Sequence, residues 1–229
     1  MKKFISIILL LASWLPAVPA SDRDYKKPDY RAIKRVINDH KSEFYYPVLM
    51  QRYTNSDTTL TLQDYRILYY GYLFSEHYSA YGHSVYSDSL RPVFSQDTLT
   101  TEDFQKIIRL ENRVLDEFPF DLGDLNTLTY SFLQTGDTLS AVLTNYKLNR
   151  LVETILSTGT GEKESTAWHV ISIGHEYDLL DYFGFRFAGS QSLTQNGCDY
   201  LEVAPNEYDI EGFYFDVNMI LDKEAELFK

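Results

Sequence analysis

Apolar positions recur at helical spacing through the first two-thirds of the chain and at strand spacing in the last third. After a polar leader over 21–28, Tyr30, Ile33, Val36 and Ile37 predict a helix from Asp29 to about His40. Pro47 suits the first turn of a short helix reaching Tyr53. Beyond a polar turn at 55–59, Thr61 with Asp64 predicts a capped helix carrying Tyr65, Leu68, Tyr69, Tyr72 and Leu73 on one side. Residues 76–98 show no steady period and read as a long ordered loop. Thr100 or Thr101 opens a helix to Phe118, stopped by Pro119. Asp121 and Asp124 cap the next, which ends at Gly136. Asp137 opens another, running to about Leu156 with Leu139, Val142, Leu148, Leu151 and Ile155.

A glycine-bearing hydrophilic loop, Ser157 to Ser165, marks the change of period. Ala167 to Ile173 is rich in β-branched and aromatic residues, as in a strand buried on both faces. Glu176 to Phe183 predicts a short helix stopped by Gly184. Ser190 to Val203 reads as one strand bent near Asn196-Gly197, and Pro205-Asn206 as a turn. Glu211 to Met219 alternates, with Phe213, Phe215, Val217 and Met219 facing in. The class is α+β: N-terminal helical hairpins packed with a small C-terminal antiparallel β-sheet.

The opening twenty residues carry Lys2 and Lys3, an apolar run from Phe4 to Val18, and Val18-Pro19-Ala20 before Ser21. That order predicts a secretory signal peptide over 1–20 and a protein working in the periplasm or outside the cell. The run is short of the ~20 residues of a membrane span and is broken by Ser6, Ser13 and Pro16. No later stretch approaches that length. The expected organisation is a helical region over 21–157 and a sheet region over 158–229, forming one compact unit.

Charge narrows the partners. The chain has 21 basic and 33 acidic side chains, and removal of the leader leaves 19 against 33, a net charge of −14. Nucleic-acid binding, which draws on clustered Lys and Arg, is not expected. Between Arg186 and Lys223 there is no basic residue, while Asp199, Glu202, Glu207, Asp209, Glu211, Asp216 and Asp222 fall there. A solvated acidic face accounts for this run, and a cation or a basic partner could use it. Cys198 is the single cysteine, which leaves no intramolecular disulfide and suits a small buried residue.

Catalytic motifs are incomplete. His175-Glu176 begins like a zinc-hydrolase helix, but the fifth position is Leu179 where a second His is needed. On a straight strand His169 would lie roughly 20 Å from His175, too far to share one metal. His175, Glu176 and Asp178 remain as a candidate acid–base cluster at a strand-to-helix junction; the alternative reading makes Glu176 and Asp178 partners of the helix dipole and His175 a hydrogen-bonded edge residue. Gly159, Gly161 and Lys163 lack the strand–loop–helix order of a phosphate loop. Gly82-His83-Ser84 has Tyr86 where a nucleophile elbow needs Gly. No cofactor and no metal site is expected. Candidate binding residues are the aromatics Tyr65, Tyr69, Tyr70, Tyr72, Tyr81 and Trp168, for which a core role is the alternative to a carbohydrate-stacking surface.

Two resemblances bear on the fold. Pro119, Leu125, Leu128, Phe132, Gly136 and Ala141 fall at the spacing of a tetratricopeptide-type helical hairpin over 119–153, with Thr129 and Asn145 departing from it. The runs Tyr65-Arg66-Ile67-Leu68-Tyr69-Tyr70-Gly71, Ala167-Trp168-His169-Val170-Ile171, His175-Glu176-Tyr177-Asp178-Leu179-Leu180 and Ile210-Glu211-Gly212-Phe213-Tyr214-Phe215-Asp216 resemble a secreted bacterial family catalogued as domain of unknown function 4919. That resemblance implies export and brings no activity. The functional expectation is therefore an exported protein that binds a protein, peptide or glycan in the cell envelope or outside it, the alternative being an envelope hydrolase built on His175, Glu176 and Asp178.

Overall fold

The computed structural model describes residues 25–80 and 84–227. The expected signal peptide over 1–20, Tyr81 and the Gly82-His83 pair lie outside them. Seven helices come first: α1 (Tyr30–Ile37), α2 (Tyr46–Thr54), α3 (Leu62–Gly71), α4 (Val85–Phe94), α5 (Thr101–Glu117), α6 (Leu122–Thr135) and α7 (Thr138–Leu156). The C-terminal part runs β1 (Trp168–His169), α8 (Gly174–Tyr182), β2 (Phe187–Leu193), β3 (Cys198–Val203), β4 (Gly212–Asp216) and α9 (Asn218–Leu227).

Local chemistry fixes the helix starts. Asp29 accepts from the Ala32 N–H, and Thr61 with Asp64 and Thr100 with Asp103 each form both arms of a capping box. Asp121 and Asp137 cap α6 and α7, and Gly136 ends α6 in the left-handed region. Among the described residues no helix is long and apolar enough to cross a membrane.

Four elements differ from the sequence reading. Part of the expected loop over 76–98 is α4, capped by Ser84, whose Oγ accepts from the Tyr86 N–H. Its signal is weak because Pro92 interrupts it and only Leu90 and Val93 are buried. They join a small separate cluster with Phe104, Ile107 and Val114. The single bent strand is two strands, β2 and β3, joined through a turn that places Gly197 at φ +73°. The stretch 167–173 holds only two paired residues, although Ala167 to Ile171 are all buried. The strand ending at Met219 stops at Asp216, and the unforeseen α9 begins at Asn218.

The sheet order is β1-β4-β3-β2. β2–β3 and β3–β4 are antiparallel as expected, but β1 lies parallel to β4, Trp168 opposite Phe215 and His169 opposite Asp216, so the sheet is mixed. Alternation sends Leu201, Val203, Phe213 and Phe215 inward and leaves Tyr200, Glu202 and Tyr214 on the outer face. One apolar core runs from Ile33 through α3, α7 and α8 to Ile220, so helices and sheet share it.

The glycine loop has a packing role. The Trp168 indole N–H donates to the Gly159 carbonyl at 2.9 Å. Gly161, at φ +71°, passes so close that a Cβ there would lie 2.8 Å from the indole ring. The loop closes over Trp168.

Candidate functional site

α8 carries all three candidate acid–base residues. On a helix at 100° per residue, positions 175 and 178 share a side while 176 turns away. His175 and Asp178 accordingly face the corner between α5 and α6, and Glu176 faces the sheet. No hydrogen bond joins any two of the three.

His175 is fully buried and stacked between Phe118 at 5.5 Å and Tyr69 at 5.6 Å. Its Nδ1 lies 2.6 Å from the Tyr69 hydroxyl. That hydroxyl already accepts from the Ile171 N–H at 3.4 Å, so its own proton is free to go to Nδ1, leaving the imidazole proton on Nε2. Burial pulls the ring's pKa down to about 3, against a smaller opposite effect of the Phe120 backbone. His175 is thus a neutral core histidine and not the edge residue expected from sequence.

Glu176 is also fully buried and has one oxygen, Oε1, without a hydrogen-bond partner among the described residues. The Gln191 amide on β2 donates to Glu176 Oε2 at 3.4 Å and to Asp199 Oδ2 at 2.8 Å, and Tyr177 donates to Gln191 Oε1 at 2.5 Å. Burial first, and the neighbouring Asp199 second, push the Glu176 carboxyl up to about 9. It is an uncharged acid at neutral pH, not a carboxylate serving the helix dipole.

Asp178 is half-buried, with Oδ1 only 2.9 Å from where a Cβ on Gly123 would stand. The first turn of α6 approaches because that residue has no side chain. Asp121, Asp124 and the buried Glu111 of α5 complete a group of four carboxyls. Burial and mutual repulsion raise Glu111 to about 9 and Asp124 to about 7. Asp178 and Asp121 shift the same way, with burial the largest cause in both. Sequence reasoning took Asp121 and Asp124 only as caps, placed Asp199 on a solvated acidic face where the structure buries it, and missed Glu111 and Gln191. Glu111 carried a readable signal, since it occupies the buried stripe of α5 between Ile107 and Val114. Nothing along the chain links Gln191 or Asp199 to α8.

The other candidates lie inside. Tyr65, Tyr69, Tyr70, Tyr72 and Trp168 are all buried and offer no ring face to solvent. Several buried tyrosine hydroxyls hold backbone carbonyls. Tyr70 donates to the His169 carbonyl at 3.1 Å, Tyr78 to the Ile171 carbonyl at 3.0 Å, and Tyr72 to the Glu117 carbonyl at 3.0 Å. Segment 169–171 pairs with a strand only at its start, so tyrosines of α3 and the residues after it take the His169 and Ile171 carbonyls and the Ile171 N–H, while Thr158 accepts from the His169 N–H. His169 is held by Tyr30 at 3.2 Å, with Asp216 3.7 Å away, and burial lowers its pKa to about 4. Cys198 is buried and its thiol is pushed up to about 11, chiefly by burial. Among the described residues no group of three His, Cys, Asp or Glu is arranged to hold a metal ion.

An open concavity lies elsewhere. A depression of about 590 Å³ at the outer end of β3 and β4 is lined by Tyr200, Glu202, Pro205, Asn206, Asp209 and Glu211. The Asn206 side chain holds its turn, donating to the carbonyls of Ala204 and Ile210. Tyr200 packs on Tyr214 with ring centroids 4.6 Å apart, and Glu202, Asp209 and Glu211 are exposed.

A family model described as Domain of unknown function (DUF4919) matches residues 31–226. The chain belongs to the DUF4919 family. Its match takes in α8, the buried carboxyls and the outer depression alike, and the family description assigns no activity. No curated protein and no solved structure matches this DUF4919 chain. The hairpin expected over 119–153 is present as α6 and α7, joined through Gly136-Asp137; tetratricopeptide membership does not follow from it.

Proposed function

We propose that this is an exported binding protein of the cell envelope or exterior, which holds a basic segment of a protein or peptide partner in the depression at the outer end of the sheet. The observation that carries the reading is that depression: a concave site with three exposed carboxylates and the ring of Tyr200, which Tyr214 backs, in a stretch with no Lys or Arg from 187 to 222. Carboxylates around an aromatic wall suit an ammonium or guanidinium group, which gains from both charge and the ring face. By contrast, the α8 residues of the hydrolase alternative enter two separate regions of the interior, and none of them lines this depression.

A lysine-rich peptide titrated by calorimetry at low salt is expected to bind, and 0.3 M salt to weaken it. Reversing Glu202 and Glu211 to Lys together is expected to weaken binding at least about tenfold. Both side chains are exposed, so stability should change by no more than about 0.5 kcal/mol per site. Equal affinity of the variant for the peptide, or equal binding of an acidic peptide by the native protein, would contradict the proposal.

A further inference from the structure

We propose that α8 is a proton-operated latch: carboxyl groups on two of its sides hold protons while the helix is seated between the sheet and the helical layer, and loss of those protons loosens it. On the sheet side Glu176 meets Asp199 through Gln191, beside Tyr177. On the helical side Asp178 faces Asp121 and Asp124, which in turn face Glu111, with Asp181 adding a further acid on α8. No salt bridge among the described residues reaches any of these carboxyls.

Two oxygens decide the neutralising species. Glu111 Oε2 and Glu176 Oε1 are both buried in side chains at most 1% exposed, and neither has a hydrogen-bond partner among the described residues. A buried carboxylate with an unmet oxygen, and with acids as its only charged neighbours, is strongly disfavoured, whereas its protonated form is not. The oxygens do not converge as a metal requires, but a proton needs only two. Asp121, Asp124 and Asp178 are half-buried, so exchange with solvent is open.

The sign follows from linkage. These carboxyls titrate higher in the fold than in the unfolded chain, so their contribution is complete below about pH 4 and is lost as pH rises through 7 to 9. His169 and His175 act oppositely: they are held neutral, and their contribution is lost as pH falls below about 6.5. From about pH 7 to 8 the carboxyls dominate, since the histidines are by then largely neutral in the unfolded chain as well, and the raised Cys198 thiol and buried tyrosines add their own loss only as pH reaches their unfolded values, about 8.5 and 10.

Urea denaturation across that window tests the latch. The folding equilibrium constant is expected to drop up to about tenfold per pH unit for each proton retained. Glu176→Gln combined with Asp178→Asn should flatten the slope. Hydrogen exchange, corrected for its intrinsic pH dependence, should show protection falling first at residues 174–182. Native stability that is flat across the window, a slope unchanged in the double variant, or protection lost uniformly over the chain would each overturn the proposal. Should the double variant fail to fold, the native slope and the location of lost protection decide.

Discussion

Replacing Phe120 with Ala is expected to destabilise the fold by about 3–5 kcal/mol. Phe120 is fully buried at the corner between α5 and α6, with the rings of Tyr53 and Tyr72 at 5.2 Å and Tyr69 at 6.0 Å. These rings belong to α2, α3 and the turn after α3, so one truncation opens a cavity where three segments meet. Tyr53 also donates to the Pro119 carbonyl, which fixes the corner that the cavity would undermine. Urea denaturation gives the free energy, and the melting temperature should fall by roughly 6–20 °C at about 2–4 °C per kcal/mol. A loss under about 1 kcal/mol would mean that the corner refills or that the ring is not packed as described.

Trp168→Ala is expected to cost a similar amount, about 3–5 kcal/mol. The indole stacks on Phe213 at 5.0 Å and touches Phe183 and Phe215, so it joins β1 to β4 and to the end of α8. Its loss also frees the Gly159–Gly161 loop, whose approach is shaped to that ring. Trp168→Phe separates the two contributions. It keeps an aromatic body but leaves the buried Gly159 carbonyl without its donor, for about 1–3 kcal/mol. Equal losses for Ala and Phe would show that the hydrogen bond dominates, contrary to the packing described.

The sequence displayed what depends on near neighbours. Thr61 with Asp64, Thr100 with Asp103, and Asp121 ahead of α6 mark helix starts that the structure keeps. Period two in Phe213 and Phe215 located β4 and its inward face. What escaped depends on contacts across long separations. β1 is a strand only because β4 lies beside it, almost fifty residues later in the chain. α4 is held by two apolar residues against α5, too few to set a period around Pro92. For the same reason the chemistry around α8 was hidden. His175 was visible, but its tyrosine partner lies 106 positions away, and Asp199 and Gln191 reach Glu176 only after the β2–β3 hairpin forms. Glu111 alone could have been suspected, as a charge on an apolar stripe.

Ionisation of α8 residues, followed by NMR on protein labelled at Glu and His, tests the sealed character of this helix most directly. The Glu176 carboxyl should remain protonated up to about pH 9, and the His175 imidazole should remain neutral down to about pH 3. Ionisation near the ordinary values, about 4.3 and 6.5, would place both groups in water and return them to a cleft where acid–base chemistry is open to them.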